Sequence, residues 1–211
     1  MKYLEFKNII RKFPIISSSH IFNLTPKPRS LKNQLTIWQK KGLLIKLRKG
    51  LYILNEQDRK ITPSRLFIAN ALYLPSYIST EYALSYYDLI PEKVEDLTSV
   101  TTKKTISFKN VFGSFHYQHL KTELFFGMNQ IMDENNLPVF LAHPEKAMLD
   151  FIYLNLEEFK NKGMDFFEEA YRFQNLNILK EKRLMEFAKR YKNKVLIDVV
   201  NNLLNFMREK G

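Results

Sequence analysis

Apolar residues recur at spacings of three and four positions along the first part of the chain, which is the pattern of helices with one buried face. The first such stretch runs from Tyr3 to Phe13. Ser17 to Ser19 supply N-caps for a short second helix, which the sequence Thr25-Pro26-Lys27-Pro28 interrupts. A third helix is predicted from about Pro28 to Lys41, and Gly42 is suited to end it.

Two short runs rich in branched apolar residues follow, at Leu44 to Leu47 and Leu51 to Leu54, and such runs are typical of β-strands. Arg48-Lys49-Gly50 joins them, and its glycine eases a tight turn. Three helices followed by a hairpin with a basic tip predict a winged helix-turn-helix. We expect this domain to occupy residues 1–60, because residues 55–63 are polar and end in proline.

The remaining residues, 61–211, predict a second domain of mixed structure. About residues 97–141 consist of β-branched and aromatic runs separated by turn residues, which predict an antiparallel sheet of four or five strands. The chain as a whole is therefore expected to be α+β. Helices are predicted on either side of the sheet, at Leu66–Leu74, Ser79–Leu89, Pro144–Asn155, Phe166–Phe173, Glu181–Tyr191 and Lys194–Arg208.

Positive charge is concentrated at the start of the chain. Residues 1–60 hold 14 Lys and Arg against 3 Asp and Glu, a surplus of 11, whereas residues 61–211 hold 19 of each sign. The formal net charge of +11 therefore comes from the first segment alone. A protein that binds a polyanion concentrates charge in this way, because each neutralised phosphate releases counterions. Nucleic acid is favoured over a membrane surface, since the short apolar stripes can satisfy one another in a three-helix core.

The predicted third helix has a polar outer face opposite Leu31, Leu35 and Trp38. A recognition helix lies in the major groove of DNA, where Arg can bond guanine and Asn can bond adenine through two hydrogen bonds. The face is equally compatible with ordinary solvated helix surface when it is taken alone. Together with the hairpin, it predicts binding to duplex DNA through Lys27, Arg29, Ser30, Lys32, Asn33, Thr36, Lys40, Arg48 and Lys49.

The sequence offers little sign of enzyme chemistry. It contains no Gly-x-Ser-x-Gly, His-Glu-x-x-His or Gly-x-x-x-x-Gly-Lys motif, and no cysteine for a disulfide or a thiolate metal site. His116 and His119 are three apart in a predicted strand, which sends them to opposite faces. His143 and Glu145 are interpreted as the start of a helix. We therefore expect no catalytic site, no cofactor and no bound metal.

Charged residues interrupt the apolar residues of the N-terminal sequence MKYLEFKNIIRKF, unlike those of a signal peptide or a membrane span. We expect a soluble, cytoplasmic protein without a membrane partner.

The order of several segments resembles AbiEi-type antitoxins over roughly residues 5–155. The resemblance is specific at Gly42, Lys49–Tyr52 and Ser79–Leu84, and loose in the recognition helix. It implies a winged helix-turn-helix that represses its own operon, followed by a domain that counteracts a co-encoded AbiEii-type nucleotidyltransferase toxin. The segments that carry it are KGLLIKLRKGLYIL, PSYISTEYALSYYDLIPE, LTSVTTKK, FHYQHLK and LAHPEKAMLDFIYLN.

Nucleotidyltransferases use Gly-Ser followed by a pair of metal-binding aspartates. Gly113-Ser114 is followed by no Asp-x-Asp, so the chain is similar to the antitoxin and not to its toxin. We therefore expect a DNA-binding autoregulator with antitoxin function that binds its own operator. A protein-interaction role or a ligand-responsive regulator without antitoxin function are the alternatives.

Overall fold

A computed structural model describes residues 1–23 and 28–210, with the side chains of residues 28, 29 and 210 outside that description. Its first part contains three helices and a three-stranded antiparallel sheet. The three helices and the two strands of the hairpin follow the predicted order, and each helix ends one or more residues earlier than expected. A strand of two residues before the second helix was not predicted. The helices and strands of this part are α1 (Tyr3–Ile10), β1 (Ile16–Ser17), α2 (Ser18–Phe22), α3 (Pro28–Lys40), β2 (Leu44–Arg48) and β3 (Leu51–Leu54).

Local hydrogen bonds explain where α2 begins and α3 ends. The hydroxyl of Ser17 accepts from the amide of His20 at 3.2 Å and caps the start of α2. At the end of α3, Gly42 has a φ of +69°, and its amide donates to the carbonyl of Gln39. The Leu43 amide donates to the Trp38 carbonyl, which completes the bond pattern of a Schellman motif. The prediction that Gly42 ends this helix is confirmed.

The three helices bury their apolar faces together against one face of the small sheet, in which β3 lies between β1 and β2. Trp38 of α3 is at the centre, with the ring of Phe6 4.6 Å and that of Tyr3 5.4 Å from its own. This first core consists of Phe6, Ile10, Ile16, Ile21, Leu31, Leu35, Trp38, Leu44 and Leu54.

Asp58 fastens the end of this part to α1. Its carboxylate accepts from the Tyr3 hydroxyl at 2.6 Å and from the Lys7 ammonium at 2.7 Å. The Asp58 side chain is 15% exposed. The hydrogen bond from Lys7, followed by that from Tyr3, lowers the pKa of Asp58 below its usual value near 3.8.

Replacing Asp58 with alanine is expected to lower the free energy of unfolding by about 1–2 kcal/mol at pH 7, because hydrogen bonds to a charged group are lost. The folded-state pKa is the lower one, so this contribution is present above about pH 4 and is lost as the pH falls through that pKa. Urea unfolding of wild type and Asp58→Ala from pH 7 to pH 3 should show that the free energies of unfolding of the two proteins converge as the pH falls. A constant gap would contradict the ionic origin of the contribution.

The second part is built on a six-stranded sheet in the order β6-β7-β5-β4-β9-β8. Its strands are β4 (Ser76–Ile78), β5 (Leu97–Thr101), β6 (Ile106–Asn110), β7 (Gly113–His119), β8 (Met128–Met132) and β9 (Pro138–Ala142). The helices are α4 (Arg65–Leu72), α5 (Thr80–Tyr86), α6 (Pro144–Leu154), α7 (Leu156–Phe159), α8 (Asp165–Glu169), α9 (Glu181–Arg190) and α10 (Lys194–Lys210), with 3-10 turns at Thr122–Leu124 and Leu176–Ile178.

This sheet is mixed, so the prediction of an antiparallel sheet was wrong in two of its pairings. β4 pairs with β9 in parallel, and β5 pairs with β7 in parallel. The first pairing arises because β4, a strand of three residues between two helices, enters the centre of the sheet. The second arises because β7 inserts between β5 and β6, which are neighbours in sequence. The connection from β5 to β6, Thr102–Thr105, therefore crosses the end of β7.

The hairpin of β2 and β3 contributes to both parts of the molecule. Leu44 and Leu54 belong to the first core, whereas Leu47, Leu51 and Ile53 belong to the core of the second part. Two polar contacts also join the parts across this junction. The amide of Asn110 donates to the Leu47 carbonyl at 3.1 Å, and the Arg48 guanidinium donates to the Leu72 carbonyl at 2.5 Å. The small sheet is thus held between two cores.

A charged pair lies at the centre of the second core. Lys146 and Asp150 are one turn apart on α6, their side chains are fully buried, and they form an ion pair. The Lys146 ammonium also donates to the Tyr191 hydroxyl at 2.6 Å and lies 4.8 Å from the centre of the Phe126 ring. The Asp150 carboxylate accepts further hydrogen bonds from the hydroxyls of Tyr77, Ser79 and Tyr191, at 2.9, 2.8 and 2.7 Å.

Candidate nucleic-acid interface

Helix α3 presents one apolar and one polar face. Leu31, Leu35 and Trp38 are 2%, 2% and 6% exposed, because they fill the first core. The opposite face is turned outward. Its exposed polar side chains are those of Ser30, Lys32, Asn33, Thr36 and Lys40.

The structure thus brings five of the predicted DNA-binding residues together on one helix face. Two others cannot be placed in the same way. Lys27 lies outside the described residues, and Arg29 lies within α3 with a side chain that is not described. Thr36 uses its hydroxyl to donate to the Lys32 carbonyl at 3.3 Å, which leaves its oxygen lone pairs as acceptors.

The turn between β2 and β3 carries the remaining two predicted residues, and they differ in their surroundings. Lys49 is exposed at the turn. Arg48 is half-buried, and its guanidinium donates to the carbonyls of Leu72 and Lys49. Arg48 therefore braces the turn against the second part of the molecule, while Lys49 extends into solvent.

The turn is also tied to the start of α2. The Ser18 amide donates to the Gly50 carbonyl at 2.8 Å. Gly50 has a φ of +82°, and a β-carbon there would lie 3.1 Å from the Ser18 hydroxyl. Glycine is required at this position by both its backbone angle and the close approach of Ser18. The position of Lys49 relative to the helices is consequently fixed by backbone contacts.

Two of the three carboxylates in residues 1–60 are engaged away from the outer face of α3. Glu5 accepts from the Lys2 amide at the start of α1, and Asp58 is bound by Tyr3 and Lys7. Neither of these two carboxylates therefore pairs with a basic residue on the outer face of α3.

Ile37 is an exposed residue of α3 that the sequence prediction of the interface omitted. Its side chain is 49% exposed, one turn after Asn33. An apolar side chain on a recognition helix can contact the methyl group of thymine. The signal was present in the sequence, because position 37 lies away from the face defined by Leu31 and Leu35.

His116 forms the arrangement in the second part that most resembles catalytic machinery. Its Nδ1 lies 2.9 Å from the Ser107 hydroxyl, and its Nε2 lies 3.2 Å from the Asp96 carboxylate. Ser107 and His116 are direct partners in the pairing of β6 with β7, so their contact follows from strand register. The side chains of His116 and Asp96 are 41% and 56% exposed. We interpret the three residues as a polar cluster on the surface of the sheet.

His143 and Glu145 connect the starts of two helices. The His143 ring lies 3.2 Å from both the Asn129 amide nitrogen and the Arg183 guanidinium, and burial followed by the charge of Arg183 lowers the pKa of His143. Glu145 is 1% exposed and accepts from the Lys180 amide at 2.9 Å, immediately before α9. These contacts agree with their interpretation as the start of α6.

Gly113 also has a structural explanation. Its φ is +122°, and a β-carbon there would lie 2.7 Å from the Arg65 guanidinium.

Within residues 1–23 and 28–210, no group of three or more His, Asp or Glu side chains could hold a metal ion. In the same part of the chain, no helix has both the length and the apolar character needed to cross a membrane.

Comparison with protein-family models and with curated proteins finds no match to this chain.

Proposed function

We propose that this protein is a DNA-binding transcriptional regulator whose first part is a winged helix-turn-helix. Helix α3 is the recognition helix, and the turn between β2 and β3 is the tip of the wing. The observation that carries the proposal is that α3 buries Leu31, Leu35 and Trp38 and exposes a mainly polar face that includes two lysines and an asparagine. The whole surplus of positive charge lies in the same 60 residues.

The proposed mechanism separates sequence reading from backbone binding. Arg29 and Asn33, one turn apart near the start of α3, would contact base edges in the major groove, with Ser30 and Lys32 beside them. Lys40, Lys49 and Thr36 would contact phosphates or sugars and set the position of the helix on the duplex. Arg48 would act indirectly, by holding Lys49 in place.

The proposal is tested by selecting tight-binding duplexes from a random library and measuring their affinity by fluorescence anisotropy. We expect the selected duplexes to share a common sequence and to bind at least about 10³-fold more tightly than scrambled ones at physiological salt. Enrichment of no common sequence would contradict a recognition helix.

Replacing Lys49 with alanine is expected to weaken binding to selected and scrambled duplexes by a similar factor, because a phosphate contact does not depend on sequence. The slope of log affinity against log salt should become shallower by about 0.9. Lys189→Ala, at an exposed position of α9, is the matched control and should leave the slope unchanged. A loss confined to the selected sequence would show that Lys49 reads bases.

We further propose that the protein neutralises a nucleotidyltransferase toxin, and this rests on the resemblance to AbiEi-type antitoxins. The neutral second part, with its own sheet and core, is the proposed antitoxin region. If DNA binding and toxin neutralisation are separable, the full-length variant Arg29→Ala/Asn33→Ala should no longer repress transcription. It should still rescue cells that express a toxin whose gene lies next to the gene for this protein. Failure of the wild-type chain to rescue those cells would refute the antitoxin role.

A further inference from the structure

The connection between β5 and β6 forms a basic loop in the second part of the molecule. We call residues Thr102–Thr105, of sequence Thr-Lys-Lys-Thr, the crossover loop, because they cross the end of β7. Lys103 and Lys104 are both exposed. These two lysines are adjacent in a second part whose charges balance as a whole, so they form a local excess of positive charge.

The crossover loop is held by hydrogen bonds at both ends. The Lys103 amide donates to the Thr101 hydroxyl at 3.2 Å, and that hydroxyl donates to the Pro75 carbonyl at 2.7 Å. His119, the last residue of β7, donates its amide to the Thr105 hydroxyl at 3.1 Å, and its Nδ1 lies 3.0 Å from the Lys103 carbonyl. A loop fixed in this way loses little conformational freedom when it binds a ligand.

An open cavity of about 570 Å³ lies at the crossover loop. The side chains that line it carry ammonium, hydroxyl and imidazole groups, and none of these lining side chains is a carboxylate. The ammonium and hydroxyl groups of this set can donate hydrogen bonds to an anion. The lining residues are Tyr73, Thr102, Lys103, Lys104, Thr105 and His119.

The crossover loop and the wing are connected through the end of α4. The Arg48 guanidinium, one residue before the tip of the wing, donates to the Leu72 carbonyl. The next residue, Tyr73, has its ring 5.5 Å from the Lys103 ammonium. Arg48 and Lys103 therefore contact two consecutive residues, Leu72 and Tyr73. These contacts link the wing to the crossover loop.

We propose that the crossover loop binds backbone phosphates of the same duplex that the winged domain holds, next to the phosphates contacted by the wing. This inference rests on the proposed function and extends the DNA interface into the second part of the chain. The contacts between Arg48 and Leu72 and between Tyr73 and Lys103 would keep the two phosphate-binding surfaces in register. The second part would then add affinity without adding sequence preference, because phosphates are the same at every step.

The test is the full-length double variant Lys103→Ala/Lys104→Ala, measured by anisotropy with a selected duplex between 50 and 300 mM salt. Two lost phosphate contacts should make the salt slope shallower by about 1.8 and weaken binding by about tenfold or more at 0.1 M salt. The matched control is Lys182→Ala/Lys189→Ala, which removes two exposed lysines from α9 and should change neither quantity. Lys103→Arg/Lys104→Arg keeps both charges and should retain the wild-type slope.

A duplex shortened on the side of the wing provides a second measurement. It should bind wild type and Lys103→Ala/Lys104→Ala equally, because the phosphates that the loop would contact are missing. Two results together would overturn the role of the loop: an unchanged salt slope for Lys103→Ala/Lys104→Ala on the full duplex, and weaker DNA binding by Lys32→Ala/Asn33→Ala. They would leave the proposal of DNA binding by the winged domain intact. If wild type binds no duplex at all, the proposed function itself fails.

Titration with inorganic phosphate and with ATP separates the two sources of phosphate. Displacement of DNA by millimolar phosphate from wild type, but not from the alanine variant, would support a shared phosphate site. Tight binding of ATP that requires Lys103 and Lys104, with DNA affinity unaffected by their loss, would overturn the proposal in favour of a small-molecule site.

Discussion

Replacing Asp150 with alanine is expected to lower the free energy of unfolding by about 3–5 kcal/mol, because it leaves the buried Lys146 ammonium without its counter-ion. Asp150 also accepts hydrogen bonds from the hydroxyls of Tyr77, Ser79 and Tyr191, which would lose their acceptor in the same step. Urea unfolding followed by circular dichroism measures the effect. Asp198→Ala, at an exposed position of α10, is the control and should change stability by less than about 0.5 kcal/mol.

The double variant Lys146→Met/Asp150→Leu separates the charge from the packing. It removes both members of the pair and should be markedly more stable than Asp150→Ala alone, because no buried charge remains. If Asp150→Ala lowers the free energy of unfolding by less than about 1 kcal/mol, solvent reaches the Lys146 ammonium. That result would contradict the complete burial of Lys146.

The pH dependence of the Asp150→Ala variant follows from the same burial. Desolvation lowers the pKa of Lys146 in the folded protein, although Asp150 opposes this shift. The unfolded chain therefore binds more protons than the folded chain between that pKa and about 10.5, and stability rises with pH in this window. Without Asp150 the window widens, so the deficit of the variant should shrink as the pH is raised from 7 towards 10.

Replacing Arg29 and Asn33 together with alanine is expected to abolish most of the preference for a selected duplex. Each contact with two hydrogen bonds to a base is worth about 1–3 kcal/mol of discrimination, so the double variant should lose roughly 30-fold or more of its preference. Binding to scrambled duplexes should fall by much less. Anisotropy titrations with both duplexes measure the ratio. The control is Lys182→Ala/Asn201→Ala, which removes one exposed cationic and one exposed amide side chain from α9 and α10.

If the ratio of the two affinities is unchanged in Arg29→Ala/Asn33→Ala, α3 does not read bases through these residues. An equal loss on both duplexes would assign them to phosphate contacts and leave Ser30, Lys32 and Ile37 as the remaining candidates for contact with bases.

The order of the three helices and the hairpin in the first part could be predicted from the sequence because local signals determine it. β1, with two residues, was too short to be predicted. The spacing of Leu31, Leu35 and Trp38 gives the inner face of α3, and Gly42 gives its end. The sheet of the second part was only partly predictable. β4 has three residues, too few for a strand periodicity to show. β7 inserts between β5 and β6. The pattern of apolar and polar residues predicts that a strand forms, but it does not predict which strands pair with each other.

The candidate interface shows the same division between local and distant causes. The outer face of α3 follows from helix periodicity, so its residues could be named in advance. The partner of Arg48 is the carbonyl of Leu72, 24 residues away, and no local pattern predicts that contact. Lys146 and Asp150 form a familiar pair at positions i and i+4. Such pairs are usually exposed, and only packing against Tyr77, Tyr191 and Phe126 makes this one buried.

The most direct test of DNA binding through α3 is a salt series on one selected duplex with wild type and full-length Arg29→Ala/Asn33→Ala. The account predicts that wild-type affinity falls steeply with salt, with a log–log slope of several units, and exceeds that for a scrambled duplex by at least about 10³-fold at physiological salt. The variant should keep most of the slope and lose most of the preference. Equal wild-type affinity for selected and scrambled duplexes, or no measurable affinity for either, would contradict it.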